Sequence, residues 1–234
     1  MFQERELKIF KRGIYLTLSF VLLLWIIKSI EWANGVDLGY YGILPRTLKG
    51  SIGILTGPLI HGDLLHLMSN TFPLVVLGLG LFYFYHKIAI EVFTWIYLAT
   101  GFWVWVIGRD AYHIGASGLV YGLMMFIFWG GVIRKNPRSL AVSMIIFFLY
   151  GYMIYGIVPG DESVSWESHL MGSVAGIFLA LYFKKVPIYV GEKPYFHLYH
   201  TKEDQIPDAI GQKKASWDHT HPGKLDFHYT YKKK

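Results

Sequence analysis

The sequence predicts an all-α polytopic membrane protein in which six apolar helices form a bundle. Of its 234 residues, 53% are apolar and only 16% are charged, whereas about 25% of a soluble domain is charged. The charged residues fall into narrow clusters, and the apolar stretches between them approach the ~20 residues that a helix needs to cross a bilayer. Apolar residues this abundant, without a heptad pattern, exclude disordered, collagen-like and coiled-coil classes.

Six candidate spans follow one another along the chain, and no further apolar run comes after the sixth. The first lies behind a basic start, like the core of a signal peptide, but no small-residue cleavage site follows it. We therefore interpret it as a retained helix. The spans are residues 13–33, 59–85, 88–108, 114–133, 140–158 and 166–183.

Lys and Arg residues accumulate on one side of the predicted bundle. Ten lie near the span ends on that side and four on the other, so the positive-inside rule places both termini in the cytoplasm. We expect the plasma or inner membrane as the location. Residues 1–12 are then a cytoplasmic N-terminal segment, residues 13–183 the membrane domain, and residues 184–234 a basic, flexible cytoplasmic tail.

The tail carries most of the chain's net charge of +6 and contains ten Lys against six acidic residues. This excess favours contact with anionic lipid over nucleic-acid binding. Five of the ten histidines also lie there, in a spacing that fits no defined metal site. The chain has no cysteine, which excludes disulfides, thiolate nucleophiles and Cys-based metal centres. The tail histidines are His197, His200, His219, His221 and His228.

Polar residues lie in the first turns of the second, fourth and sixth spans. Each is a functional candidate, because it costs free energy to place a polar group in a bilayer. In the predicted topology these three spans run from the outer face inward, so their first turns lie at one depth. In the second span, His66 and Asn70 are four residues apart and share a helix face. His61 precedes them as structural support, and Asp63 is expected to be the helix N-cap.

The fourth and sixth spans combine polar with small residues. Ser117 lies in the first turn of the fourth span, with Tyr121 four residues later, and His169 lies in the first turn of the sixth. Small residues let helices approach closely, so we expect these spans to touch and to bring Ser117 within hydrogen-bonding distance of His169. The small residues that flank the polar ones are Gly115, Gly118, Gly172 and Gly176.

This combination of residues predicts acyl-transfer chemistry. A serine hydroxyl becomes a strong nucleophile when an imidazole removes its proton. The sixth span offers no carboxylate to orient that imidazole except Glu167, which points elsewhere on the helix, so a Ser–His dyad is the simpler interpretation. The amide of Asn70 and the ring N–H of His66 are suitable donors for the developing oxyanion.

In this order and on these spans, the residues resemble the rhomboid family of intramembrane serine proteases. The resemblance extends over residues 44–183. The chain departs from the family at Pro45-Arg46, where Trp-Arg is usual, and at Ser168, where Ala is commoner. The matching patterns are His61-x4-His66-x3-Asn70, Gly115-Ala116-Ser117-Gly118 followed by Tyr121, and His169-x2-Gly172-x3-Gly176.

The resemblance implies a six-helix core with a water-filled catalytic cavity open to the outside, which cleaves transmembrane segments of membrane proteins. It also implies a role for each matched residue. Ser117 corresponds to the nucleophile and His169 to the general base, with Tyr121 stacked on the imidazole. Asn70, His66 and the backbone N–H of Ser117 correspond to the oxyanion hole.

Two alternatives remain. A catalytically inactive relative that binds transmembrane clients would have lost the serine or the histidine, and this chain retains both. A metal-dependent membrane oxidase or a transporter that uses His61, His66 and His169 is disfavoured, because the chain has neither a His-Glu-x-x-His motif nor a visible inverted repeat. We therefore expect no metal and no cofactor, and membrane lipid and transmembrane protein substrates as partners.

Overall fold

The computed structural model describes residues 2–135, 137–160 and 164–187, and these are predominantly helical. The predictions for the tail beyond residue 187, including its five histidines, lie outside the described residues. The α-helices of the described residues are α1 (Phe2–Asn34), α2 (Gly53–Thr56), α3 (Leu64–Phe84), α4 (Ala89–Ile107), α5 (Ser117–Arg134), α6 (Pro137–Tyr150) and α7 (Trp166–Tyr182). Short 3-10 segments lie at Gly39–Tyr41, Lys49–Ile52, Gly57–Leu59 and Gly151–Ile157.

The helices match the predicted spans in order, which confirms an all-α membrane fold. Within the part of the chain that the structure describes, five segments are long and apolar enough to cross a membrane. The remaining predicted span corresponds to α7, whose 17 residues lie at the lower end of the usual length of a spanning helix. The five segments are Leu7–Asn34, Leu64–Phe84, Ala89–Ile107, Ser117–Arg134 and Ser139–Ile157.

Three predicted spans differ from the helices by more than three residues at one end. The first, predicted from residue 13, lies within α1, which already begins at Phe2. The second begins at Leu64, because Asp63 has an extended backbone and its Oδ1 accepts a hydrogen bond from the backbone N–H of His66 at 2.7 Å. This confirms Asp63 as the N-cap. The fifth leaves the α-helical conformation after Tyr150 and continues as the 3-10 segment Gly151–Ile157, a change that hydropathy does not detect.

Helix α5 is the centre of the bundle. It packs against α3, α4, α6 and α7, and 61% of its residues are buried, against 17% to 39% in the other four candidate spans. Its side chains Leu123, Phe126 and Ile127 have no exposed surface. Residues near the start of α5 are therefore held by neighbours on several sides, which suits a site that needs a fixed geometry.

Helices α5 and α7 contact each other through their backbones. A Cβ added at Gly172 would lie 2.8 Å from the carbonyl carbon of Gly118, and one added at Gly176 would lie 3.0 Å from the carbonyl carbon of Gly122. The predicted contact between these helices is thus confirmed, and it consists of two Gly-x3-Gly stretches that face each other. The contact fixes the first turn of α7 against the first turn of α5.

Lys28, near the C-terminal end of α1, holds the segment that leads into α3. Its Nζ donates to the carbonyl oxygens of His61 and Gly62, each at 2.9 Å, and to Glu31 Oε2 at 2.7 Å. Further along the same helix pair, the indole N–H of Trp25 donates to Thr71 Oγ1 at 3.1 Å. These bonds tie α1 to the polar end of α3.

The loop of residues 35–63 is structured and docks on the loop that precedes α5. Ile43 and His113 exchange two backbone hydrogen bonds, at 2.9 and 2.8 Å. Arg46 forms an ion pair with Asp110 and donates to the carbonyl oxygen of Gly108 at 2.6 Å. The turn that leads to Ser117 is therefore braced from outside the bundle.

Candidate active site

Ser117 is the first residue of α5 and is 9% exposed. The backbone N–H groups in the first turn of a helix have no intrahelical acceptor, and the helix dipole places partial positive charge there. A negative charge that develops beside Ser117 is therefore stabilised by the helix terminus. The first intrahelical bond of this turn runs from the N–H of Val120 to the carbonyl oxygen of Ala116 at 3.1 Å.

The turn before Ser117 depends on a glycine. Gly115 has a backbone φ of +102°, a conformation that residues with a side chain rarely adopt. A Cβ there would also lie 2.6 Å from Nε2 of His66. Gly115 thus lets the chain turn sharply into α5 while the His66 ring lies directly against it.

His61 bonds to the same turn. It is 1% exposed, and its Nε2 accepts a hydrogen bond from the N–H of Ala116 at 3.3 Å. Burial, together with the neighbouring His66, lowers the pKa of His61 to about 4. The ring is therefore neutral at neutral pH, which it must be for Nε2 to accept.

His169 lies in the first turn of α7, is 8% exposed, and stacks on Tyr121 of α5. The ring centroids are 4.1 Å apart, and the planes differ by 9°. Tyr121 is one turn beyond Ser117 on the same helix face. The stack therefore holds the imidazole against the face of α5 that carries the serine.

A backbone carbonyl fixes the protonation pattern of this imidazole. Nδ1 of His169 lies 2.8 Å from the carbonyl oxygen of Gly156. A carbonyl oxygen only accepts, so Nδ1 carries the proton, and in the neutral ring Nε2 is the basic nitrogen. Gly156 is a site residue that the sequence analysis missed, because a backbone carbonyl has no signature in sequence.

The hydrogen bond predicted between Ser117 and His169 is not among those formed by the described residues. The two side chains lie on helices in backbone contact, and the imidazole is bonded to Gly156 and stacked on Tyr121 instead. Catalytic hydrogen bonds are often long without substrate and shorten when it binds. The structure thus places Ser117 and His169 on neighbouring helix turns, with no hydrogen bond between them among the described residues.

His66 and Asn70 lie on one face of α3, as predicted. The amide nitrogen of Asn70 donates to the carbonyl oxygen of His66 at 2.9 Å, and Asn70 is 4% exposed. This bond uses one of its two amide hydrogens and leaves the other for a ligand. The ring of His66 packs edge-on against His61, with 5.0 Å between centroids.

The first turn of α7 is anchored to the loop before α5 by a polar network that the sequence analysis also missed. Nδ1 of His113 lies 2.6 Å from Ser165 Oγ, which lies 2.7 Å from Ser168 Oγ. Glu167 is 4% exposed, and its Oε1 lies 3.6 Å from Nε of Arg109. The Glu167 carboxylate thus interacts with the loop before α5. Among the described residues, no hydrogen bond joins it to the imidazole of His169.

No group of three or more His, Cys, Asp or Glu residues able to hold a metal ion occurs within residues 2–135, 137–160 and 164–187. The three site histidines have different surroundings. His61 bonds to the turn before α5, His66 packs on Gly115, and His169 bonds to Gly156.

Comparison with known proteins identifies the family of this chain. The rhomboid domain family model matches residues 49–186, which contain all the candidate site residues from His61 to Gly176. The chain belongs to the rhomboid family. Among its rhomboid relatives are uncharacterized proteins of Mycobacterium tuberculosis and Mycobacterium bovis, each 35% identical over 176 residues, which cover 70% of this chain and 72% of the relative. An uncharacterized protein of Mycobacterium leprae is 31% identical over the same length, with 70% and 68% covered.

The rhomboid match begins after α1, so the region shared with the family consists of residues 49–63 of the loop before α3, which include α2, and of helices α3 to α7. Members of this family include intramembrane proteases and inactive relatives, and these mycobacterial proteins are described only as uncharacterized.

Proposed function

We propose that this rhomboid protein is an intramembrane serine endopeptidase that cleaves transmembrane segments of membrane proteins with a Ser117–His169 dyad. The observation that supports it most strongly is the state of the imidazole. Its Nδ1 proton is held by the Gly156 carbonyl, which leaves Nε2 basic beside the helix face that carries Ser117. A general base needs that tautomer.

The reaction follows from these positions. Nε2 of His169 removes the hydroxyl proton of Ser117 as Oγ attacks the carbonyl carbon of the scissile peptide bond. The protonated imidazole then gives its proton to the leaving amine as the C–N bond breaks, which leaves an acyl-enzyme. Water, deprotonated by the same nitrogen, attacks the ester, releases the carboxylic acid and restores the serine.

The oxyanion of each tetrahedral intermediate would be stabilised by three donors. The Ser117 N–H lies at the positive end of α5. The free amide hydrogen of Asn70 and a ring N–H of His66 come from the adjacent face of α3. Preorganised donors of this kind contribute about 3 to 4 kcal/mol each to transition-state stabilisation.

The topology we propose places this site near the outer surface, with both termini in the cytoplasm and residues 184–234 as a basic tail at the inner surface. A transmembrane substrate would meet Ser117 near the end of its apolar segment. Membrane lipid and transmembrane proteins are then the partners, and neither a metal nor a nucleic acid takes part.

A serine-reactive fluorophosphonate probe tests the proposal on detergent-purified protein. We expect labelling of the wild type and cleavage of a transmembrane substrate that contains helix-destabilising residues. Both should disappear in Ser117→Ala and persist in Ser29→Ala, which removes an exposed hydroxyl from α1. EDTA should leave cleavage unchanged.

Three outcomes would contradict the proposal. Equal activity of wild type and Ser117→Ala would remove the nucleophile assignment. Loss of activity on chelation, restored by Zn²⁺, would favour a metal-dependent enzyme. A folded wild type that binds transmembrane segments, but neither cleaves them nor reacts with the probe, would be an inactive client-binding relative.

A further inference from the structure

We infer that Gly156 is a positioning residue of the dyad: its carbonyl oxygen orients the base, and its missing side chain leaves room for the Tyr121 hydroxyl. The inference rests on the proposed function for its catalytic consequence. It concerns the 3-10 segment Gly151–Ile157, to which the sequence motifs give no role.

The sequence explains why this carbonyl is available. In a 3-10 segment, the carbonyl oxygen of one residue accepts from the N–H three residues later. Three residues after Gly156 stands Pro159, which has no N–H. The Gly156 oxygen therefore lacks its regular backbone donor and instead lies 2.8 Å from Nδ1 of His169.

Only glycine fits at this position. A Cβ at residue 156 would overlap the hydroxyl oxygen of Tyr121 and would lie 3.1 Å from Nδ1 of His169. The hydroxyl cannot simply rotate away, because it donates to the carbonyl oxygen of Met153 at 2.7 Å. The segment thus holds the two stacked rings with two of its carbonyls, one for each ring.

The stack and the hydrogen bond restrain different motions of the imidazole. Stacking on Tyr121 fixes the plane of the ring, and the bond to Gly156 fixes its rotation within that plane. Together they supply what a carboxylate supplies in a triad, namely orientation and choice of tautomer. The nearby carboxylate of Glu167 is not used for this purpose, since it lies against Arg109 and His113.

A pair of glycine variants in the same segment tests the role in catalysis. Gly156→Ala should lower kcat by about 10²- to 10⁴-fold, the range for loss of general-base function, with little change in KM. Gly151→Ala is the matched control, because its Cβ would meet only the ring of Phe147 at an ordinary 3.5 Å. Wild-type kcat in a folded Gly156→Ala protein would overturn the inference.

A second-site variant separates positioning from a general structural effect. Tyr121→Phe removes the hydroxyl that a Cβ at residue 156 would meet and keeps the ring that stacks on His169. We expect Tyr121→Phe alone to lose about fivefold in kcat, the value of one ordinary hydrogen bond. The double variant Gly156→Ala/Tyr121→Phe should recover to within about threefold of Tyr121→Phe. A double variant as inactive as Gly156→Ala would show that overlap between the new Cβ and the Tyr121 hydroxyl is not the cause of the loss.

The tautomer itself is measured without any reaction. In protein labelled with ¹⁵N-histidine, the signals of His169 are those that vanish in His169→Ala. We expect a protonated Nδ1 and an unprotonated Nε2 in the wild type and in Gly151→Ala, and a mixture of tautomers in Gly156→Ala. Protonation at Nε2 in the wild type would overturn the inference. Because this readout needs no cleavage, it separates a failure of the inference from a failure of the proposed function.

Discussion

The ring of Tyr121 stacks on the imidazole of His169 with 4.1 Å between centroids and 9° between planes. The two residues come from α5 and α7, whose glycines bring the backbones into contact. The stack is therefore a consequence of helix packing and not of flexible side chains that meet by chance. A site built on such a contact is as rigid as the helices that carry it.

Removal of the aromatic ring should affect catalysis more than removal of the hydroxyl. A stacked aromatic pair contributes about 0.5 to 1.5 kcal/mol beyond its buried area, which corresponds to up to about tenfold in rate. We expect Tyr121→Leu to reduce kcat about tenfold more than Tyr121→Phe, with similar KM values. Steady-state cleavage kinetics measure both, and equal kcat values would show that the ring does not orient the base.

Asn70→Ala and His169→Ala should differ in how they affect the nucleophile. Loss of one oxyanion donor lowers kcat by about 10²- to 10³-fold, and the Ser117 N–H and His66 can make the loss smaller. Ser117 should still react with a fluorophosphonate probe in Asn70→Ala, though more slowly. Without His169 the hydroxyl is not activated, so labelling should vanish. An unlabelled, folded Asn70→Ala beside a readily labelled His169→Ala would show that the roles are reversed.

A methyl group at the helix contact should destabilise the fold. Gly172→Ala places a Cβ against the backbone carbonyl of Gly118, which cannot rotate away, and overpacking of this kind costs about 1 to 3 kcal/mol. Gly80→Ala on α3 is the control, since its Cβ would meet Ile127 at an ordinary 3.6 Å. Thermal unfolding in detergent should show a lower midpoint for Gly172→Ala than for the wild type, and an unchanged midpoint for Gly80→Ala. Equal midpoints would mean that α7 can shift without cost.

Much of this architecture follows from the sequence. Hydropathy is an average over many residues, so it locates the helices well, and small residues four apart predict the contact of α5 with α7. Short local rules work too, because Asp63 is the N-cap that its residue type and position predict. The family assignment was likewise available from motifs on three spans and is confirmed by the match to residues 49–186.

Other features depend on tertiary contacts that leave no sequence pattern. The change from α-helix to 3-10 after Tyr150 occurs within one apolar run, and side-chain hydropathy does not distinguish the two conformations. The carbonyl of Gly156 acquires its partner only when α7 packs beside that segment. Buried Glu167 pairs with a loop more than fifty residues away in sequence, which a single sequence cannot reveal.

Acid should destabilise the protein through His61. Its pKa is about 4 in the folded chain and about 6.5 when unfolded, so the unfolded state binds more protons between these values. The stability that the folded state gains from a neutral His61 is fully present above pH 6.5 and is lost as the pH falls toward 4. At pH 5 the loss is about 2 kcal/mol.

Thermal unfolding in detergent at pH 7.5 and pH 5 measures this loss. His61→Gln keeps an acceptor for the Ala116 N–H but does not titrate, so its midpoint should fall less between the two pH values. The remaining dependence would include His113, whose pKa is also lowered by burial. An unchanged pH dependence in His61→Gln would exclude His61 as the main source.

The orientation of the bundle can be tested cleanly because the chain has no cysteine. Leu48 is 91% exposed in the loop between α1 and α3, and Lys87 is exposed in the turn between α3 and α4. The excess of Lys and Arg on the Lys87 side predicts that this side faces the cytoplasm. A membrane-impermeant maleimide should therefore label Leu48→Cys in intact cells and label Lys87→Cys only after permeabilisation. The reverse pattern would place Ser117 and His169 at the cytoplasmic surface, and the substrates would then have to present their cleavage sites from inside the cell.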